Sequence, residues 1–374
     1  MKRILHIVSC LELGGTEAFI MNHYRALNRQ EIQFDFLVLT EKDFPYVAEI
    51  KELGGNVYFG VQASFWHMIK YYKIFKNVLN QSGGYEAVHC HLNAGNALPL
   101  MGAMLCGIKK RISHSHDTSQ RPGSKVKQII FELRKGIIKL CGNVFLACSI
   151  DAGKELYGTR FFEKYGKVIN NGIELTKFLH IDSREIGKRK EEFKITQEND
   201  FIIGNISRFE AKKNQLFILE VFKKILDKKP NAILLLGGID GGQLTEVMAR
   251  IKMLRIEKNV RLIGVRTDIP VCLKLMDVYL FPSLFEGLGI ALLEAQAAGC
   301  NCFASTGVSR EADMGLNRVE YYNLSDGAEA WAERVLQKQA SCHRKSQEEI
   351  VAAFTEKEYT IEVAVQKLKG VYNA

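Results

Sequence analysis

Two carboxylates with seven residues between them, Glu286 and Glu294, bracket a glycine-containing turn in the run Phe281-Pro-Ser-Leu-Phe-Glu-Gly-Leu-Gly-Ile-Ala-Leu-Leu-Glu-Ala-Gln-Ala-Ala-Gly299. An ionised carboxylate only accepts hydrogen bonds, and a sugar offers several hydroxyl donors. Backbone N–H groups at a helix N-terminus suit a phosphate. Carboxylates beside a phosphate-sized opening therefore suit a nucleotide sugar, with hydroxyls on the glutamates and phosphate on Gly287, Leu288 and Gly289. The same run also fits an ordinary strand–helix unit with two surface glutamates.

A second constellation lies upstream in Ile206-Ser-Arg-Phe-Glu-Ala-Lys-Lys-Asn214. Arg208 and Lys213 straddle an expected strand end and helix start. Two fixed cations there suit a diphosphate leaving group. A solvated basic turn is the alternative. Read as exposed charges, the pair would contribute little to folding.

These groups need elements to hold them. Asp277-Val-Tyr-Leu-Phe281 reads as a buried strand, and the residues from Ile290 form a helix that Gly299 stops. Strands are expected at Arg3–Ser9, Phe34–Thr40, Asn56–Val61, Ala87–His91, Arg111–His116 and Asn143–Cys148. A second series follows at Phe201–Ile206, Ala232–Leu236, Val260–Gly264, Val278–Phe281 and Asn301–Ala304. Strands alternating with helices predict two doubly wound α/β domains with parallel sheets.

The first strand leads into Leu11-Glu-Leu-Gly-Gly-Thr-Glu17, where Gly14 and Gly15 make a tight turn and Thr16 is the expected helix cap. This is not a dinucleotide fingerprint, so a nicotinamide oxidoreductase reading is weak. His89-Cys-His91 and His114-Ser-His116 fall at strand ends. Alternation puts His114 and His116 on one face. His-x-His twice raises a zinc alternative, but no acidic or cysteine ligand is placed with them.

The run from Phe281 to Gly299 resembles the Glu-x7-Glu signature of the retaining glycosyltransferases of family 4 (group 1), and its flanks are similar to exopolysaccharide and capsule members. Arg208, Lys213 and Asn214 match that family's Arg-x4-Lys-(Gly/Asn) pattern. The resemblance implies the GT-B architecture, two Rossmann-like domains facing across a cleft. The implied domains are 1–168 on the acceptor side and 169–356 on the nucleotide-sugar side. The helix near 357–374 would return to the first. The resemblance implies catalytic roles for Arg208, Lys213, Glu286 and His116. It also implies donor contacts from Gly14, Gly15, Gly287, Leu288, Gly289 and Glu294. Leu234–Gly242 departs from the family's usual Gly-Asp-Gly-Pro. Gly264-Val-Arg-Thr-Asp268 is the implied nucleobase segment.

The expected partners are a nucleoside-diphosphate sugar and a saccharide or lipid-linked saccharide acceptor. No metal and no further cofactor is expected. Asp-x-Asp, the usual holder of a metal-bound diphosphate, does not occur. A nucleotide-sugar epimerase and a non-catalytic binding protein are the rival readings.

The 374 residues are 47% apolar and 25% charged, enough for two cores. The nine cysteines include no Cys-x-x-Cys and read as reduced thiols of a cytoplasmic protein. No apolar run approaches about 18 residues. Residues 1–170 carry 22 basic and 14 acidic side chains, a net +8; the remainder carries 29 and 28. A basic half suits an anionic membrane surface, and no nucleic-acid motif accompanies it. Two segments could meet that surface, Phe65–Lys76 and the stripe Val126, Ile129, Ile130, Leu133 and Ile137 within Lys125–Lys139. Either could equally be a crossover helix packed on a sheet.

Overall fold

The structure is a computed structural model that describes residues 1–60, 68–81, 83–118, 123–196, 201–339 and 346–374. Its internal contacts divide the chain into two units, 1–172 with 361–374, and 173–360.

The first unit is built on seven strands: β1 (Lys2–Val8), β2 (Ile32–Val38), β3 (Val57–Phe59), β4 (Ala87–Cys90), β5 (Lys110–Ser115), β6 (Val144–Ala147) and β7 (Gly166–Val168). Their order is β3-β2-β1-β4-β5-β6-β7, with every pair parallel. Strands covered on both faces read as continuous apolar runs. Even β2, Ile-Gln-Phe-Asp-Phe-Leu-Val, which interrupts such a run with Gln33 and Asp35, is buried at all seven positions. Its one charge, Asp35, accepts from the Arg3 guanidinium and the Tyr85 hydroxyl. The helix Ile361–Asn373 packs on the helix Gly15–Ala26, placing Ile361, Val365, Leu368 and Tyr372 in the same core as Phe19 and Phe34.

The second unit carries β8 (Ile202–Ile206), β9 (Ile233–Gly237), β10 (Val260–Gly264), β11 (Val278–Phe281), β12 (Asn301–Ser305) and β13 (Val319–Tyr322), ordered β10-β9-β8-β11-β12-β13 and again all parallel. The two doubly wound sheets agree with the expected class. Strands β7 and β13 were not expected. Both are short edge strands, and β13 is only half-buried along its length. The third strand is shorter than Asn56–Val61, and Val61 lies outside the described residues.

In each sheet the strand order reverses once beside the first strand of its unit, at β1/β4 and at β8/β11. Ligands of open α/β sheets bind outside the strand C-termini at such a reversal.

Candidate functional site

At the β8/β11 reversal the two sequence constellations meet. Ile203 and Gly204 of β8 pair with Val278 and Tyr279 of β11. Beyond the strand ends, Asn214 donates to the Pro282 carbonyl at 3.2 Å, and the Leu284 N–H donates to Lys212 at 2.8 Å. Asn214 sits in the left-handed region at φ 58°, which few residues other than Gly and Asn adopt without strain. That explains why the position takes Asn here. The adjacent Lys213 ammonium is thereby aimed at Glu286, 2.5 Å away and 73 residues distant in sequence. Lys213 also lies over the Phe281 ring.

Glu286 is only 7% exposed and the Lys213 side chain 16%. The expectation of two exposed charges with little effect on folding is corrected for Lys213. Removing one partner of a largely buried pair strands the other charge. Gly289 caps the helix Ile290–Ala297 at φ 90°, and a Cβ there would come 2.9 Å from the Phe281 ring. Gly299, at φ 87°, follows that helix as predicted. Gly287 and Leu288 lie in the turn, with Leu288 buried.

Glu294 stands inside the helix, and burial pushes its carboxyl up to about 7. Where the sequence suggests an ionised carboxylate, burial leaves Glu294 shared between the charged and protonated forms near neutral pH. Arg208 leaves β8 through Ser207, whose hydroxyl donates to Asn205 at 2.6 Å. Gln215 holds the Arg208 carbonyl at 2.8 Å. The loop after β9 closes on this segment. Gly238 approaches so closely that a Cβ would lie 2.0 Å from the Ser207 carbonyl oxygen. In Gly264–Asp268 the two charged side chains are committed to each other, while Val265 is exposed. Arg266 grips Asp268 at 2.7 and 2.8 Å and Arg189 adds a further contact, holding the Asp268 carboxyl down at about 2.

The β1/β4 reversal carries a pocket lined by Val8, Ser9, Thr16, Glu17, His91, Leu92 and Asn93. Gly14 makes the tight turn through its N–H to the Glu12 carbonyl, yet its φ of −117° is open to any residue. Gly14 itself is the N-cap and Thr16 lies inside the helix without capping it, which corrects that expectation. Glu17 is buried and accepts from the Cys10 thiol. His116 follows β5, and its backbone N–H donates to the Asn93 side chain at 2.9 Å.

Behind His116 lies a cluster that single-strand reading missed. His6, His89, His91 and His114 are all buried, stacked or tilted against one another with centroids 4.1–5.5 Å apart. His114 stacks on His116 at 4.1 Å, which agrees with the shared face. The available signal was His-x-His at the ends of two neighbouring strands, with His6 in register opposite His89.

The exposure of the two candidate surface segments differs. In the helix Met68–Gln81, Phe75, Val78 and Leu79 are buried; Phe65, Trp66 and His67 lie outside the described residues. In the helix Lys125–Cys141 the stripe faces solvent, with Val126 65%, Ile129 61% and Leu133 62% exposed. Among the described residues no helix is long and apolar enough to cross a membrane.

Residues 187–337 match the family described as glycosyl transferases group 1. The whole chain is 29% identical to a Bacillus subtilis protein named as a glycosyltransferase, EpsF, over 96% of that protein. Over 82% of this chain and 81% of the relative it is 27% identical to the capsular polysaccharide biosynthesis glycosyltransferase CapH of Staphylococcus aureus. The fold matches that of Anabaena HepE, solved in complex with UDP-glucose, with a TM-score of 0.83 and 15% identity over all of both chains. The class is therefore a glycosyltransferase with the GT-B fold. More particularly, residues 187–337 of the second unit carry the group 1 glycosyl transferase domain, and the relatives that match most of the chain are named as glycosyltransferases, one of them of capsular polysaccharide biosynthesis.

Proposed function

We propose that this protein moves a sugar, with retention at the anomeric carbon, from a nucleoside-diphosphate sugar to a lipid-linked saccharide, without a divalent metal. The observation that carries the reading is the Lys213–Glu286 pair held beside the Gly287–Gly289 turn at the β8/β11 reversal. In this reading the leaving diphosphate takes Lys213, Arg208 and the backbone N–H groups of the turn, which supply the positive charge a metal would otherwise bring. Glu294 accepts from ribose hydroxyls and Glu286 from a sugar hydroxyl. By the family resemblance alone, Gly14 and Gly15 are assigned to the donor and acceptor and His116 to the transferring sugar.

The anomeric C–O bond to phosphate breaks as the acceptor oxygen bonds on the same face. The acceptor's proton passes to the departing phosphate oxygen. No protein base is needed. The protein works at the cytoplasmic face, where such donors are made, and the solvent-facing stripe of Lys125–Cys141 supports a lipid-linked acceptor met at the membrane.

UDP-, GDP- and ADP-sugars should be screened for a raised melting temperature, because donor binding stabilises the fold. The stabilising donor is then given a lipid-linked saccharide in EDTA. Nucleoside diphosphate released only with acceptor, and undiminished by EDTA, is expected. Turnover of the donor without acceptor would instead make the protein an epimerase. Binding without turnover would make it a binding protein. Activity that needs added manganese or magnesium would remove the metal-free assignment.

A further inference from the structure

The buried imidazoles of the first unit are connected as well as stacked. His114 Nδ1 lies 3.1 Å from His89 Nε2, and His89 Nδ1 lies 2.8 Å from the Tyr372 hydroxyl. That hydroxyl also reaches His6 Nε2 at a longer 3.5 Å. His6 Nδ1 lies 2.9 Å from His91 Nε2, and His91 Nδ1 lies 2.8 Å from His116 Nε2. Six groups thus form one unbranched path from His114 to His116, with Tyr372 in the middle.

The path carries neutral rings. Burial pushes His6 and His116 down to about 3 and holds His89, His91 and His114 well below the ordinary histidine value. A neutral imidazole has one donor and one acceptor nitrogen. Once one ring's tautomer is set, each neighbour's follows. The Tyr372 hydroxyl transmits the direction because it has a single proton to donate.

The far end sets the sense. His114 Nε2 is buried, and among the described residues it has no hydrogen-bond partner. A buried N–H without an acceptor is rare in native proteins. The bare nitrogen of His114 is therefore Nε2, and its proton sits on Nδ1. Donation then runs from His114 to His89, to Tyr372, to His6, to His91 and into His116 Nε2.

We propose that Tyr372, His6 and His91 are positioning residues whose one-way hydrogen-bond chain fixes His116 as the tautomer with its proton on Nδ1. His116 then presents a donor at its other ring nitrogen, Nδ1, rather than an acceptor. The consequence for transfer rests on the reading of His116 as a sugar contact; the tautomer itself does not. Tyr372 comes from the helix Ile361–Asn373, so the chain's last helix sets the chemistry at a residue 256 positions earlier.

A metal is the competing account. The candidate nitrogens of His91, His114 and His116 lie within 4.8 Å of one another, as do those of His6, His89 and His91. Two nitrogens on one tetrahedral zinc would stand about 3.3 Å apart at the usual bond lengths of ~2.0–2.1 Å. The 2.8 and 2.9 Å separations within these groups are hydrogen-bond lengths instead.

Histidine-selective 15N labelling of the full chain reads each ring nitrogen as protonated or bare. His116→Gln identifies the His116 signals. The expected wild-type spectrum has His116 Nδ1 protonated and Nε2 bare. The reverse would overturn the proposal, and so would stoichiometric zinc found by elemental analysis of the purified protein. Tyr372→Phe keeps the ring and deletes the relay. It should leave His116 mixed or reversed, and an unchanged tautomer in the folded variant would overturn the coupling. Should that variant not fold, His6→Gln interrupts the same arm and is held to the same outcome, and the wild-type spectrum remains decisive for direction. About tenfold lower kcat in Tyr372→Phe, the scale of one neutral hydrogen bond, is expected beside the tautomer change. A tautomer change with kcat unaltered would leave the chain standing and count against His116 as a sugar contact.

Discussion

At the β1/β4 reversal the polar groups are imidazoles that burial keeps neutral, joined edge to edge and reporting to a tyrosine. At the β8/β11 reversal they are a lysine and a glutamate in contact, with a second glutamate poised near 7. The same topology, a parallel sheet changing direction beside its first strand, thus presents hydrogen-bond geometry in one unit and charge in the other. The nucleotide sugar proposed as donor has the corresponding division. Its diphosphate gains charge as the bond breaks, and its sugar hydroxyls need direction more than charge. The contrast predicts that substitutions in the second unit act through electrostatics and pH, while those in the first act through hydrogen-bond geometry.

The largest effect is expected from Arg208→Ala and Lys213→Ala. On the proposed reaction negative charge grows on the leaving diphosphate, so a fixed cation stabilises the transition state more than the ground state and its loss appears in kcat. Steady-state kinetics should show a fall of about 10²–10³. Lys213→Ala should also lower the melting temperature, because it strands Glu286; breaking a buried pair costs roughly 3–5 kcal/mol, less where it is partly wet. Lys213→Met combined with Glu286→Gln should recover the stability but not the turnover. Near-normal kcat in both alanine variants would erase the contrast between the units.

Next in size is Glu294. Glu294→Gln should weaken donor binding about tenfold to a hundredfold, the scale of a hydrogen bond to a charged group. Its raised carboxyl adds a pH signature. The folded protein holds this proton above the pH at which the unfolded chain releases it. Glu294 therefore favours folding below about pH 4.5, and that contribution is lost as pH rises toward 7. Glu294→Gln should then melt higher than wild type at pH 8, with the gap narrowing on acidification. At about 1.36 kcal/mol per pH unit the gap is at most roughly 3 kcal/mol. Donor affinity of the wild type, by calorimetry, should rise between pH 6 and 8 as the carboxylate forms. The variant should stay flat. No comparable limb should come from the first unit, since His6 and His116 charge only near pH 3. A rate limb near pH 6.5 that vanishes in His116→Gln would contradict this.

Much of this was legible in the sequence, for identifiable reasons. Central strands such as β9 and β11 declare themselves because burial on both faces demands apolar runs. The edge strands β7 and β13 do not, because a half-buried edge needs no such run. The Glu286–Glu294 spacing and the Arg208–Lys213 pair could be read because each constellation is local. Their meeting could not: Lys213 reaches Glu286 only because β8 and β11 are neighbours and Asn214 turns the chain through a left-handed residue. The histidine chain was hidden for the same reason. Each His-x-His looks ordinary alone, and Tyr372 sits in a helical pattern that gives no sign of a polar duty. Helix amphipathicity was ambiguous from the outset. Periodicity says that a helix has an apolar face but not what covers it.

That ambiguity gives the smallest expected effect and the remaining difference between the units. Residues 1–170 hold nearly all the net charge, +8 against +1. In the helix Lys125–Cys141 the apolar stripe is uncovered, and Lys125, Lys127, Arg134, Lys135 and Lys139 belong to the same helix. An apolar face flanked by basic side chains is the pattern of an interfacial helix. Each Lys or Arg near an anionic surface contributes about 1 kcal/mol, and salt weakens it. Vesicle flotation should show binding to anionic lipid that fades with rising salt. Ile129→Ser with Leu133→Ser should reduce it several-fold, since each fully buried apolar side chain is worth about 1.5–3 kcal/mol and a peripheral helix buries only part of it. Transfer to a water-soluble saccharide acceptor should be unchanged in that variant, because both residues face solvent and belong to the first unit, whereas the charged turn belongs to the second. Equal binding to neutral vesicles would deny the basic residues a part, and no binding at low salt would mean that the stripe serves something other than a membrane.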